Sequence, residues 1–217
     1  MENNFIYLDN ASTTPLSENV LNIINSTYRN YWHNPSSTYE LGIKCSTYLE
    51  KIRSKIAYIF EADPEDIIFT SGSSESTNIV FNNIYEKFKN GRVVISNVEH
   101  QATTICANKL RKQNWDIYEW TVNNDGILNI SNIEKFLNND TKLVSIIWGQ
   151  SEIGTIQPVQ FIGSKCEELN IMFHLDGTQI LSNGIFSWKD LKCDFLSLSA
   201  HKFGGPKGIG ILLTKEK

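Results

Sequence analysis

A lysine near the end of the sequence lies where an apolar run meets a segment rich in glycine. The run at 195–198 has the composition of a short strand, and the glycines and proline of 204–208 prevent a strand or a helix from continuing. Between them stand four residues that include a hydroxyl, an imidazole and an amine: Ser199, Ala200, His201 and Lys202. A lysine in this setting can form a Schiff base with a carbonyl cofactor while its neighbours hold a phosphate, although most lysines after a strand are solvated charges.

Hydroxyl side chains follow another predicted strand, at 67–70. Ser73 and Ser74 stand at the start of the helix expected next, where free backbone N–H groups and the positive end of the helix dipole favour an anion. This segment therefore suits a phosphate. A serine that merely caps a helix explains the same residues.

Two further predicted strands end in a histidine and an aspartate. His100 can stack on a flat heteroaromatic ring or move a proton, or it is simply a half-buried loop residue. Asp176 can pair with a protonated pyridine nitrogen and so keep a ring electron-poor, or it caps a helix. For each residue taken alone, the sequence does not distinguish a cofactor contact from an ordinary structural role.

Taken together, the four strand ends supply a phosphate site, an imidazole, a carboxylate and an amine, which is the set that pyridoxal 5'-phosphate requires. The predicted contacts are Ser73, Ser74, Ser199 and His201 with the phosphate, Lys202 with the aldehyde, Asp176 with the ring nitrogen and Gln179 with the phenolic oxygen. A nicotinamide or ATP site is not indicated, because the sequence lacks the glycine patterns that hold those cofactors.

The elements that must position these residues alternate between short apolar runs and helical segments from residue 67 onward, which predicts an α/β fold with a mostly parallel seven-stranded sheet and helices on both faces. The expected strands are 67–70, 92–96, 116–120, 143–148, 171–175, 195–198 and 209–213. The expected helices are 17–31, 37–60, 74–89, 101–113, 131–137 and 158–169. We expect Ser17 to cap the first helix and Ser131 with Glu134 to form a capping box.

The predicted domain organisation is an N-terminal helical segment, 1–60, which includes a short extended run at 5–8, followed by a cofactor-binding large domain, 61–217. Ligands bind at the carboxyl ends of the strands in such sheets. All four predicted contact regions follow strands, so we expect one shared site at that edge.

Composition narrows the function classes further. The chain has 217 residues and a net charge of -4 with scattered basic residues, so nucleic acid is not an expected partner. No apolar run approaches the roughly 20 residues that span a membrane, and the N-terminus has no signal-peptide pattern, so a cytoplasmic location is expected. The four cysteines are far apart and have no histidine at ligand spacing, which predicts reduced, packed thiols and no metal site.

Seven segments of the sequence resemble, in order and spacing, motifs of the cysteine desulfurases, in the class V branch of the fold-type I pyridoxal phosphate enzymes. They lie at 7–15, 34–36, 69–76, 99–100, 152–157, 174–179 and 199–208. The chain is similar almost end to end to the N-terminal, large-domain portion of that family. The resemblance implies that Lys202 forms the Schiff base, that His100 stacks on the ring and handles protons, and that Ala200 and Ser151 also lie at the cofactor. Ser151 stands where the family has an asparagine.

The resemblance further implies a homodimer, L-cysteine or a related amino acid as substrate, transfer of its sulfur to an acceptor thiol or acceptor protein, and a link to sulfur metabolism and iron–sulfur cluster assembly. The family's small C-terminal domain, its substrate-binding arginine and its nucleophilic cysteine would follow Lys217 and cannot be assigned in this sequence. Selenocysteine lyase, a class V aminotransferase and a non-catalytic scaffold with the same fold remain alternatives, because all of them share these motifs.

Overall fold

The protein is described by a computed structural model that covers residues 6–215. Its α-helices are α1 Glu18–Asn30, α2 Glu40–Phe60, α3 Ser73–Lys87, α4 Gln101–Arg111 and α5 Val159–Glu168. Its strands are β1 Ile67–Thr70, β2 Arg92–Ser96, β3 Asp116–Trp120, β4 Thr141–Ile147, β5 Met172–Asp176, β6 Phe195–Ser199 and β7 Gly210–Thr214. Short 3₁₀ helices occupy Pro64–Asp66, Ile130–Lys135 and Ala200–Lys202.

The seven strands form one sheet in the order β1-β7-β6-β5-β4-β2-β3. Strand β7 pairs antiparallel with both β1 and β6, whereas the other pairings are parallel. The predicted α/β fold with a mostly parallel seven-stranded sheet is therefore confirmed. Because six strands run the same way, their carboxyl ends meet along one edge of the sheet, where the polar residues that follow them converge.

Two hydrophobic cores flank the sheet, since neighbouring strand residues point to opposite faces. Val93 and Ile95 of β2 pack with apolar residues of α3 and α4 on one face. Val94, between them, packs on the other face with α5 and the last turn of α2. The helices thus cover both faces, as the alternation of apolar runs and helical segments predicts.

Several element boundaries differ from the predicted ones. Strands β5, β6 and β7 each end one residue later, because backbone pairing continues past the apolar run: Asp176 still pairs with Ser197 in the ladder. The predicted capping box of Ser131 and Glu134 is wrong. Asn129 is the cap, its side chain accepting from the Ser131 N–H at 3.0 Å, and the segment that follows is a 3₁₀ helix.

The N-terminal segment packs differently along its length. Helix α1 buries no residue, and Ser17 caps it as predicted by accepting from the Val20 N–H. The last turn of α2 enters the core through Ala57 and Phe60. Of the extended run expected at 5–8, residue 5 lies outside the described residues and 6–8 form no regular element. The division of domains at residue 60 stays a prediction. Among the described helices, none is both long and apolar enough to cross a membrane.

Candidate active site

A cavity of about 390 Å³ opens at the carboxyl edge of the sheet. The predicted site residues that line it are Ser73, Ser74, His100, Ser151, Asp176, Gln179, Ser199, His201 and Lys202. Ala200 does not line this cavity; its backbone instead pairs with the N–H groups of Phe203 and Gly205. Residues from five separate parts of the sequence are thus brought together. That they bind a cofactor stays a prediction.

Lys202 ends the 3₁₀ turn that follows β6, and its amine is half-buried in the cavity. Its Nζ donates to the carbonyl oxygens of Ala11 at 2.5 Å and Ser12 at 3.0 Å. Burial lowers the pKa of Lys202, and the nearby carboxylates of Asp176 and Asp9 oppose that shift in part. A lowered pKa makes the neutral amine, which is the nucleophilic form, more available near neutral pH.

Asp176 is the last residue of β5 and is 3% exposed. Its Oδ1 accepts from both the N–H and the hydroxyl of Thr178. The residues that follow form turns, so the aspartate does not cap an α-helix. Since both threonine donors bind the same oxygen, Oδ2 is left for another donor, such as a protonated ring nitrogen.

His100 caps α4, and its Nδ1 accepts from the Ala102 N–H at 3.1 Å. An Nδ1 that accepts a hydrogen bond carries no proton, so in the neutral ring the proton is on Nε2. The hydrogen bond therefore fixes both the tautomer and the orientation of the ring. His100 lines the cavity, and its Nε2–H is the ring group that can donate a hydrogen bond there.

The start of α3 forms one wall of the cavity. The cap is Gly72, which has φ of +154° and makes no side-chain cap bond, so Ser73 and Ser74 are not N-caps. Their hydroxyls and the first N–H groups of the helix are free to hold an anion. Glu75 also lines this wall, and hydrogen bonding from the side chain and the backbone N–H of Ser71 lowers the pKa of Glu75.

His201 lines the cavity next to the amines of Lys202 and Lys207. Burial lowers the pKa of His201, and the two lysines lower it further, so the imidazole is neutral at neutral pH. Its Nδ1 lies 3.1 Å from the Thr13 hydroxyl oxygen. The imidazole is therefore suited to contact a phosphate as a neutral hydrogen-bonding group, while Lys207 supplies positive charge.

Residues 9–14 form part of the site, which their turn-like sequence does not reveal. The Ala11 carbonyl oxygen accepts from both Lys202 Nζ and Gln179 Nε2, the latter at 2.7 Å. Thr14 Oγ1 donates to the His201 carbonyl oxygen and accepts from the Gly204 N–H. Two signals were present in the sequence: residues 9–15 have the composition of a turn, and 7–15 is one of the seven motif segments. Neither signal says what the loop contacts.

Comparison with known proteins places these features in a family. The family model described as "Aminotransferase class-V" matches residues 6–217. The chain is 36% identical over 216 residues to the mitochondrial cysteine desulfurase of Candida maltosa, covering 98% of this chain and 44% of that protein. It is 36% identical over 213 residues to the cysteine desulfurase IscS of Dictyoglomus turgidum, covering 97% and 54%. The chain thus spans about half the length of the curated relatives it matches.

Solved structures agree with the sequence comparison. A NifS-like protein superposes with a TM-score of 0.93 at 32% identity, over 97% of this chain and 59% of that one. A structure described as SspA in complex with cysteine superposes with a TM-score of 0.90 at 30% identity, over 97% and 61%. The sheet and the arrangement of helices around it are therefore shared with these proteins.

Proposed function

The chain belongs to the class-V aminotransferase family, and from that premise we propose that it binds pyridoxal 5'-phosphate and removes sulfur from L-cysteine or a related amino acid. The family depends on this cofactor. One observation carries the proposal: the Lys202 amine, the Asp176 carboxylate and the start of α3 line the same cavity. The cysteine desulfurases among the relatives support the choice of reaction.

The residues of the cavity fit the cofactor in their chemistry. The N–H groups at the start of α3, with Ser73, Ser74, Ser199 and His201, form a donor set suited to a phosphate. Asp176 Oδ2 suits a protonated ring nitrogen, and His100 suits a face of the ring. Gln179 would contact the phenolic oxygen, with Ser151 also lying at the cofactor. Lys202 would bind the aldehyde.

When bound, the cofactor supplies an electron-poor ring that stabilises negative charge on the α-carbon of the substrate. The chain's own residues supply the other reacting and binding groups. Lys202 reacts as a neutral amine because burial lowers its pKa. Asp176 holds the negative charge that keeps a ring nitrogen protonated. His100 presents its Nε2–H as a hydrogen-bond donor, since Nδ1 is engaged with Ala102.

The sulfur of the substrate is transferred to a thiolate. The carbon–sulfur bond of the substrate breaks, a sulfur–sulfur bond forms with the thiolate, and the carbon that carried the sulfur gains a proton. Cysteine and a thiol thus give alanine and a persulfide. All four cysteines of the chain are free and buried, and burial raises the pKa of Cys106, Cys166 and Cys193. Because a reactive thiol must be accessible and ionised, we assign the acceptor role to a thiol other than these four.

A product assay tests the proposal. The purified chain, pyridoxal 5'-phosphate, L-cysteine and dithiothreitol should yield alanine and sulfide in equal amounts. Lys202→Ala should abolish both products, whereas Lys55→Ala, an exposed lysine on α2, should not. A wild-type chain that binds the cofactor yet forms no alanine would contradict the reaction and favour a non-catalytic scaffold. The homodimer, the sulfur-acceptor protein and the cytoplasmic location stay predictions.

A further inference from the structure

Glu99 joins the ends of two neighbouring strands beside the cavity. Its Oε1 accepts from the Ser96 hydroxyl at 2.5 Å and from the Ile147 N–H at 2.8 Å. Ser96 is the last residue of β2 and Ile147 is the last residue of β4. The carboxyl group therefore bridges β2 and β4 at the carboxyl edge of the sheet, directly before His100.

The second oxygen of this carboxyl group has no partner. Oε2 is buried and makes no hydrogen bond to any described residue, and both donors to Oε1 are uncharged. An ionised carboxylate buried in this way lacks the compensation that a cation or several donors would give it. A proton on Oε2 removes most of the free-energy cost of burying the ionised carboxylate.

The charged groups near Glu99 also disfavour its ionisation. Ile147 pairs with Asp176 in the sheet, so the two carboxyl groups belong to adjacent strand ends. Glu152, in the loop after β4, lines a second cavity of about 430 Å³ together with Glu99 and His100. The Asp176 charge therefore disfavours a second negative charge on Glu99.

We infer that Glu99 is a positioning residue that carries a proton at neutral pH, and that its uncharged carboxyl group fixes His100 and Asp176 relative to each other. Through Ser96 it holds the strand end from which His100 extends, and through Ile147 it holds the strand that pairs with Asp176.

The electrostatics of the site also favour a protonated Glu99. Burial raises the pKa of Glu99 from its ordinary value of 4.5 to about 8; the hydrogen bonds from Ser96 and Ile147 oppose this shift, and the Asp176 charge adds to it. The proton is a property of the folded chain itself. The inference therefore goes beyond the proposed reaction and can be tested without cofactor or substrate.

The direct test is a carbon NMR titration of the full chain labelled with ¹³C at the glutamate carboxyl carbons. The Glu99 signal is identified by its absence in Glu99→Gln. We expect it to titrate near pH 8. A Glu99 midpoint near 4.5 would overturn the inference.

A second measurement follows the consequence for folding. The folded chain holds a proton that the unfolded chain loses above its lower pKa, so the stability that Glu99 contributes must fall as the pH rises from about 5 to about 8. Because the buried His174 has the opposite effect below its ordinary pKa of 6.5, the decline in the wild type should be seen between about pH 6.5 and 8. Glu99→Gln, which is neutral at every pH, should lack this decline, whereas Glu152→Gln should keep it. Because a neutral amide preserves the shape of the protonated acid, a Glu99→Gln chain that fails to fold, or one whose stability follows the wild-type pH profile, would also refute the inference.

Discussion

The amine of Lys202 donates a hydrogen bond to the carbonyl oxygen of Ala11, 191 positions earlier in the chain, over 2.5 Å. The same oxygen accepts from the Gln179 side chain. Two residues that follow different strands are thus held by one turn of the N-terminal segment. The turn also changes the electrostatics of the Lys202 amine, since the Asp9 charge raises the pKa of Lys202.

The contact of Thr14 with the lysine loop should matter for stability. Thr14 Oγ1 donates to the His201 carbonyl oxygen and accepts from the Gly204 N–H, so Thr14→Ala removes two hydrogen bonds between distant segments. We expect a loss of about 1–3 kcal/mol in the free energy of unfolding, measured with urea, and weaker binding of pyridoxal 5'-phosphate. Thr47→Ala, an exposed threonine on α2, should change neither. Equal effects of the two substitutions would argue against the role of Thr14.

Removing the Asp176 charge should affect the cofactor more than the fold. In Asp176→Asn the amide oxygen can still accept from Thr178, so stability should change little. Cofactor affinity and the rate of alanine formation should each fall by at least about tenfold, because about 1.4 kcal/mol of interaction corresponds to that factor. Asp190→Asn, on an exposed loop, is the control. Unchanged affinity and rate in Asp176→Asn would remove the carboxylate from the site.

The ionisation of Lys202 should be visible in the kinetics of cofactor attachment. The rate should rise with pH as the amine loses its proton, with a midpoint below the ordinary lysine pKa of 10.5. Because the Asp9 charge raises the pKa of Lys202, Asp9→Asn should move the midpoint to lower pH. The measurement is the initial rate of borohydride-trapped attachment at a series of pH values. A midpoint that moved to higher pH in Asp9→Asn would contradict the electrostatic account.

A buried histidine should govern stability in acid. His174 lies between the hydroxyls of Ser145 and Ser197, 2.8 Å from each, and burial lowers the pKa of His174 to about 3. The unfolded chain binds a proton at His174 below the ordinary pKa of 6.5 while the folded chain does not, so the stability that His174 contributes should fall as the pH drops from 6.5 to about 3. The slope from this group is at most about 1.4 kcal/mol per pH unit.

His174→Gln tests that expectation. The substitution should lower stability at neutral pH by about 1–3 kcal/mol, because a buried hydroxyl loses its partner. It should also flatten the decline in acid. Urea unfolding at several pH values gives both quantities, and an acid decline as steep in His174→Gln as in the wild type would assign it to other groups.

Much of the architecture can be predicted from the sequence because short apolar runs mark the buried strands. The strands at Ile67–Thr70, Arg92–Ser96 and Asp116–Trp120 match the prediction at both ends. Elsewhere the ends differ by a residue or two, since strand pairing and not side-chain polarity decides them. The 3₁₀ helix at Ile130–Lys135 was missed because a capping pattern does not distinguish it from an α-helix.

The site was less accessible to sequence reasoning than the fold. Polar residues after parallel strands predict a shared edge, and nine of the ten predicted residues line one cavity there. The N-terminal turn and the buried carboxyl group of Glu99 were not predicted as parts of the site. Their roles depend on contacts between distant segments, such as Ala11 with Lys202 and Glu99 with Ile147, and no local pattern encodes those contacts.

The most direct test of a cofactor site at Lys202 is to locate the bound cofactor on the chain. The purified protein is incubated with pyridoxal 5'-phosphate, reduced with borohydride, digested and analysed by mass spectrometry. We expect one modified peptide, with the pyridoxyl group on Lys202, and no modification there in Lys202→Ala. Modification spread over exposed lysines such as Lys55, with Lys202 unmodified, would contradict a cofactor site at this cavity.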